Sequence, residues 1–526
     1  MARLRTTPIQ RSGYKMGLQR LEDAFVRRDT RLLPSPFASQ SLAVGIGILI
    51  VAFIGIVGII VSLVSPNSRV GNSNYIVTKD GGQYVKYNEV WHPVTNSVSA
   101  RLITGSTDQP KSVGIDALKD AKRGMTMGIA GAPAQILPTD VESADVSVCS
   151  IEMTPPPEEQ TDAKRIETAL IADAKPDGED FNNEKAALVT IADKSRYWLL
   201  FNGYRAEISM TDDAVRAALG IDAQIMQNAT VVSPKLLNAT MPQPTLSIPQ
   251  LDNFGRPSTA IQGYDVGTVF TQEMPNQPSV FYAVTDKGIQ PINEVIGRIL
   301  VTGGAQTVRN PSVSIINNAK RDDVIPIEAY PSKLPQYIDD EVICATWKKE
   351  STATTAVITL SHAKTLSVTD PDDDKNIVQR KDMATTISGG DGPSADRWFP
   401  GFEGRGWFYR TTDLTRESIT QGPVWYISAD GVRYPIGGDT DNEDVNKIVE
   451  LLGLKENSPV LVPWQYMSLL PEGQTLSQKN ALILHETIDP PANVLTPPQQ
   501  EQQEDIIVDS DSDTQNEETE AEAEDN

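Results

Sequence analysis

The sequence predicts an α+β protein: one N-terminal transmembrane helix, then an elongated extracytoplasmic domain of four small α/β repeats around a central β-rich module with pseudo-two-fold symmetry. Three observations predict it. An apolar run, Leu42–Val64, carries no charge and no proline. A short motif recurs four times downstream, and two cysteines lie in apolar strands about 200 residues apart. At 526 residues the chain exceeds one ordinary core, and 36 prolines with 36 glycines favour turns and short strands over a helical bundle.

Residues 1–41 form a cytoplasmic basic amphipathic segment. Eight Lys or Arg stand there against three acids, a net of +5 that leaves −29 of the chain's −24 total for residues 42–526. Tyr14, Leu18, Leu21 and Phe25 recur at steps of four, three and four, an apolar stripe on a helix whose other faces carry Arg20, Arg27, Arg28 and Arg31. Such a helix either lies on anionic lipid headgroups or docks on a partner's cytoplasmic surface.

Residues 42–64 are the span. A bilayer core needs about 20 apolar residues in a helix, and inside hydrocarbon only a helix satisfies its own backbone. A buried core helix is rarely this long and apolar on every side. A cleaved signal would have a shorter apolar region and a shorter preceding segment. The positive-inside rule then places residues 1–41 in the cytoplasm and residues 65–526 outside.

The exterior is read as a duplication. Each repeat has an aromatic residue, a proline-like site nine positions on, a β-branched residue and a short helix. The four instances are Tyr84 to Pro93-Val94, Trp198 to Glu207-Ile208, Tyr282 to Pro291-Ile292 and Tyr426 to Pro435-Ile436. Turn signals at Lys287-Gly288 and Asp430-Gly431 mark hairpins, and NSVSARLIT and DNEDVNKIVELLG read as helices opening on Asn or Asp caps. Pro93 precedes Cys149 by 56 residues and Pro291 precedes Cys344 by 53. The predicted organisation is repeat 1 at 70–143, central strands and linker at 144–187, repeat 2 at 188–250 and repeat 3 at 251–338. Central strands and an insertion follow at 339–420, repeat 4 at 421–490, and a Pro-rich, acidic, disordered tail at 491–526.

Outside the cytoplasm, Cys149 and Cys344 in equivalent strands are candidates for a disulfide, the alternative being two free buried thiols. The last 26 residues hold twelve acids and no Lys or Arg, too little apolar surface to order themselves. The strongly acidic body argues against nucleic-acid binding.

Signals for chemistry are weak. Gly105–Ser112 imitates a P-loop, but Pro110 replaces the second glycine and has no N–H to give a phosphate. The carboxylate runs Asp370–Asp374 and Asp439–Asp444 do not fit a calcium loop; the second reads as an acidic helix start. His92, beside Trp91 and Pro93, reads as a turn or core residue. His485-Glu486 lacks a zincin's second histidine, and two cysteines with three scattered histidines do not make a structural zinc site. No catalytic residue, metal or cofactor is assigned.

At the N-terminus, Gln10-x-Ser12-Gly13-Tyr14 followed by Arg20-x-Glu22-x-Ala24-x-Val26-Arg27-Arg28-Asp29-x-Arg31 closely resembles the opening of EccB proteins, membrane-anchored components of actinobacterial type VII (ESX) secretion systems. The resemblance continues through the span, His92–Gly105, the four repeats and the two cysteines, and stops at the acidic tail. Phe25 departs from the family's commoner leucine. The resemblance implies a single-pass subunit of the inner-membrane complex, N-terminus cytoplasmic and C-terminal domain periplasmic, assembled with EccC (the motor ATPase), EccD, EccE and other EccB copies. It favours partner docking for the stripe of Tyr14, Leu18, Leu21 and Phe25 with Arg27 and Arg28. Family members are sometimes described as ATPases, an attribution the broken P-loop does not support. The expected function is structural and assembly work for protein export; the alternative is extracytoplasmic ATP hydrolysis tied to the same system.

Overall fold

The computed structural model describes residues 7–28, 36–64, 70–138, 143–153, 165–369, 377–378, 385–386, 394–401, 405–418, 421–437, 444–455 and 457–485. The acidic tail, the run Asp370–Asp374, most of Asp439–Asp444 and residues 1–6 and 29–35 of the 1–41 segment lie outside the described residues.

Two helices come first. Pro8–Arg27 opens on a capping box, the Thr7 hydroxyl accepting from the Gln10 amide while the Gln10 side chain accepts from the Thr7 amide, and Arg28 ends it in the left-handed region. Pro36–Val64 follows, and its Leu42–Ile59 stretch has a mean hydropathy of 2.9 and no buried residue. A 29-residue helix rising 1.5 Å per residue exceeds the roughly 30 Å hydrocarbon core, so it is long enough to cross with tilt.

The remainder is built on a seven-stranded sheet whose middle is the pair Ser143–Met153 and Val342–Glu350. They run antiparallel in one unbroken register, from Ile151 opposite Val342 to Ser143 opposite Glu350. Arg165–Ala172 flanks the first strand and Val357–Ala363 the second, both antiparallel. Exchanging the strands of the middle pair carries one hairpin onto the other, so the pseudo-two-fold axis passes through the pair. At its edges the symmetry breaks: Arg397–Pro400 adds parallel on one side and Glu179–Asp180 antiparallel on the other.

Four of the smaller sheets belong to the four repeats. The first joins Tyr75–Thr78, Gln83–Tyr87 and Val90–Pro93 in a meander, then Lys111–Val113 returns parallel to the opening strand after the helix Ser97–Thr104. The third (Val269–Arg309) and fourth (Trp407–Pro463) repeat that order. The second (Lys185–Leu246) repeats it and adds Met241–Leu246 beside its third strand. A two-residue strand, Gln336–Tyr337, also pairs with Lys185–Ala186 of this second sheet.

The nine-residue spacing is a pairing distance. Tyr84 lies opposite Pro93, Trp198 opposite Glu207 and Tyr282 opposite Pro291. The first two hairpins close on two-residue turns with both central φ angles positive, at Asn88-Glu89 and Asn202-Gly203. In the fourth, Tyr426 lies opposite Tyr434 and Pro435 opposite Trp425. Its loop, 428–432, has an odd number of residues, so paired positions differ by even numbers and a spacing of nine falls between pairs. Of the two turn glycines, Gly431 sits at φ +80°, whereas Gly288 is required by the Lys320 carbonyl, 2.0 Å from where a Cβ would stand.

Alternation gives the central sheet two apolar faces. Val146, Val148, Ile343, Ala345 and Trp347 face a core shared with Trp198, Leu200 and Leu236 of the second repeat and Trp407, Tyr409 and Tyr466 of the fourth. Cys149, Ile151, Ala169, Ile171, Val342 and Cys344 face the other, with Val368 and Phe399. The outer repeats pack pairwise. The third joins the second through Val295 and Ile299 against Val215 and Leu219; the first joins the fourth through Val98 and Leu102 against Ile448 and Leu451.

Candidate functional sites

The cysteines form a disulfide at the centre of symmetry. Cys149 lies directly opposite Cys344, with Cα atoms 4.0 Å apart. Both are buried, and the bond closes a sequence separation of 195. Direct opposition follows from the duplication, because equivalent positions of two symmetry-related antiparallel strands meet only where the axis crosses.

On the opposite face of the same sheet lies a polar cluster that sequence reasoning missed. His362, one strand over and opposite Ile343, is buried. Its Nδ1 is 2.6 Å from an Asp340 carboxylate oxygen and its Nε2 is 3.1 Å from the Lys185 ammonium, while Phe181 meets the ring edge-on. Lys185 also pairs with Glu179; that hydrogen bond, then the Lys185 charge, holds the Glu179 carboxyl below its ordinary value. The cluster's members come from positions 179, 185, 340 and 362, with no common spacing, so the sequence held no signal for them. Among the described residues no group of three His, Cys, Asp or Glu could hold a metal ion. His92, in the strand Val90–Pro93, places Nδ1 2.8 Å from the Met125 carbonyl and packs against Gly124.

The P-loop-like segment has the opposite polarity from a phosphate loop. A P-loop leads from a strand into a helix whose N-terminal amides face the phosphates. Here the helix Ser97–Thr104 ends at Gly105, whose φ is +62° and whose N–H donates to the Arg101 carbonyl, and the chain then enters the strand Lys111–Val113. The helix therefore presents its carbonyl end, with partial negative charge, to the loop. Lys111 stands in the strand, paired with Ile76.

The N-terminal helix carries its stripe as spaced in sequence. Tyr14, Leu18, Leu21 and Phe25 fall within about 60° of arc at 100° per residue and are all exposed, Phe25 by 80%. Ile9, Met16 and Val26 are exposed as well. Arg28 is exposed just past the helix end, and Arg27 is the helix's last residue.

Comparison with known proteins gives concordant matches. The family model described as "Type VII secretion system ESX-1, transport TM domain B" matches residues 3–490. A curated relative, the ESX-3 secretion system ATPase EccB3 of Mycobacterium tuberculosis (strain H37Rv), is 29% identical over 518 residues, covering 94% of this chain and 92% of its own. A solved chain from an EccB3 dimer of the ESX-3 core complex superposes with a TM-score of 0.65 at 27% identity, covering 78% of this chain and all of that one. A chain from an intact ESX-5 inner membrane complex gives 0.68 at 23% identity over 94% of this chain and 99% of its own, a likeness of fold.

Proposed function

Since the chain belongs to the EccB family of the type VII (ESX) secretion system, we propose that it is a structural and assembly subunit of a secretion membrane complex. Its helix Pro36–Val64 anchors it, the repeats form a periplasmic scaffold, and the Pro8–Arg27 helix docks on cytoplasmic partners. EccC, EccD, EccE and further EccB copies are the partners this reading names, with the N-terminus in the cytoplasm. The observation that carries it is the exposed stripe of Tyr14, Leu18, Leu21 and Phe25 on a basic helix ahead of the span. A folded helix with four exposed apolar side chains on one face has surface to bury against a partner.

The test is a pull-down from native membranes with a C-terminal tag, followed by mass spectrometry and native sizing. The reading expects the other core subunits in one large particle; recovery of this chain alone would overturn it. Orientation is tested separately with Ser12→Cys, since the native cysteines are joined and buried. The introduced thiol should resist an impermeant maleimide on intact cells and react after permeabilisation.

The second reading, ATP hydrolysis, is favoured by the names of relatives such as EccB3, which are called ATPases. The reversed helix polarity at Gly105 opposes placing it at the P-loop-like segment. Hydrolysis by the purified chain that Lys111→Ala abolishes would restore it.

A further inference from the structure

Five residues, 65–69, separate the end of the apolar helix at Val64 from Val70. Six steps of chain reach at most about 22 Å, so the start of the first repeat is held beside the bilayer whatever path the chain takes. Val70 packs against the cluster of Ile76, Trp91, Val113 and Leu118, together with Ala117 and Ala121. The segment 115–123 therefore lies at this entry, with Ala117, Leu118 and Ala121 turned inward onto the sheet. Its outward side carries Lys119, Lys122 and Arg123 with Ile115, 43% exposed, against Asp116 and Asp120. Lys111, excluded above from phosphate-loop chemistry, joins them: its ammonium lies 3.3 Å from where a Cβ on Gly71 would stand, one residue past Val70.

Charge sets this end apart from the rest of the exterior. Residues 70–138 hold seven Lys or Arg and five Asp or Glu, a net of +2, whereas residues 139–526 carry −32. Among the described residues, the first repeat's one ion pair joins Lys86 to Glu89 and involves none of the entry lysines. Lysines with apolar stems and charged heads, set around an exposed isoleucine, suit the layer where lipid phosphates meet hydrocarbon. Spread from 111 to 123 along a surface segment, they match a sheet of headgroups better than one small anion, which needs donors converging on a point.

We propose that the entry face of the first repeat, Lys111, Lys119 and Lys122 around Ile115, binds anionic lipid headgroups of the leaflet at which the helix Pro36–Val64 emerges. Asp116 and Asp120 oppose the attraction, which keeps the docking reversible and sensitive to salt. The proposal rests on the membrane span and not on the docking of the Pro8–Arg27 helix.

The test places full-length chain in nanodiscs of phosphatidylcholine, alone or with phosphatidylglycerol as one lipid in three, each with a trace of headgroup-nitroxide lipid. Ser112→Cys, at an exposed position beside Lys111, carries a fluorophore, since the native cysteines are joined and buried. Quenching should be strong with phosphatidylglycerol, weak without it and lost in high salt. Each lysine at an anionic surface is worth about fivefold in the docking equilibrium. Lys111→Gln, Lys119→Gln and Lys122→Gln together should therefore lower the docking constant about a hundredfold and abolish the lipid preference. Asp116→Asn with Asp120→Asn should raise quenching at intermediate salt, a gain that a damaged fold cannot give. A label at Ser279→Cys, exposed in the third repeat, should stay unquenched. Equal quenching in the two lipids would overturn the proposal, because the tether alone would then hold the repeat there. A lipid preference unchanged in the triple variant would overturn it too. No quenching in either lipid would do the same and leave these lysines to an acidic protein partner. Failure of the chain to enter nanodiscs is a separate result, which would remove the span and the proposal with it.

Discussion

Replacing Cys149 and Cys344 together by alanine isolates what the disulfide contributes. The bond joins positions 195 residues apart, and the chain-entropy relation gives about 5 kcal/mol for constraining an unfolded chain over such a loop. Alanine is the right replacement because serine would leave buried hydroxyls beside Ile151, Ala169 and Val342, an added cost unrelated to the cross-link. Loss of the two sulfurs from the packed face adds about 1 kcal/mol each. The change leaves the native ladder in place, since the strands pair at nine positions, of which the cysteines are one.

The assay is urea unfolding of the full chain in detergent, followed by tryptophan fluorescence. Trp347 is fully buried on the same strand as Cys344 but faces the opposite core, so it reports the sheet without touching the bond. With a slope of about 3 kcal/mol/M, these terms together should lower the double variant's midpoint by roughly 2–2.5 M. The slope should also rise, because an unfolded chain freed of its cross-link exposes more surface. Unfolding wild-type protein in reductant should give the same midpoint as the variant, within the packing difference. A shift below about 0.3 M with an unchanged slope would refute the entropic account, since the unfolded chain would then be no freer without the bond.

Leu18→Asp with Leu21→Asp should abolish co-purification of other secretion subunits while leaving the urea midpoint of the exterior unchanged; retained partners would remove the docking role of the stripe. Leu102→Ala, at a fully buried position where the first and fourth repeats meet, should cost about 2–5 kcal/mol, read as a lowered thermal midpoint. Above pH 10 stability should fall steeply: burial raises the phenols of Tyr330, Tyr337, Tyr409, Tyr426, Tyr434 and Tyr466, so the unfolded chain releases protons that the folded one retains. Each contributes a loss of up to about 1.4 kcal/mol per pH unit between its unfolded and folded values, checked by urea midpoints at successive pH and by the phenolate absorbance gained on unfolding. Lys111→Ala should leave any ATP turnover of purified protein unchanged; its loss would contradict the polarity argument.

Periodicity and duplication were the legible parts. Leu42–Val64 needed only its length and apolarity, and the recurring nine-residue spacing marked four hairpins, in three of which nine is itself the distance between paired residues. The strands that return parallel, such as Lys111–Val113 and Thr307–Arg309, were not legible. Each is three residues long and pairs with a strand more than thirty residues away, so neither alternation nor a local turn marks it. The His362 cluster was invisible for the same reason, its members converging from four separate segments. Equivalence of the cysteine strands was readable from the offsets; that the two thiols would stand opposite one another depends on where the axis crosses, which the offsets do not state.

The pairing of outer repeats gives the duplication a mechanical consequence. Second and third repeats are neighbours in sequence and pack through the helices Asp213–Leu219 and Glu294–Thr302, with the Thr302 hydroxyl donating to the Ala214 carbonyl at 2.9 Å. Their symmetry mates are the fourth and first, which lie at opposite ends of the exterior. There the Gln478 amide donates to the Leu102 carbonyl at 3.0 Å, and the Tyr434 hydroxyl to the Gly131 carbonyl at 2.7 Å. One interface thus forms locally, while its equivalent closes more than 300 residues of chain. Loop closure over that distance costs conformational entropy before any contact offsets it. The disulfide reduces the cost, because joining residue 149 to residue 344 shortens the effective path between the first and fourth repeats. On this account the bond does more than pin two strands: it favours closure of the repeat that follows the membrane helix onto the last one made.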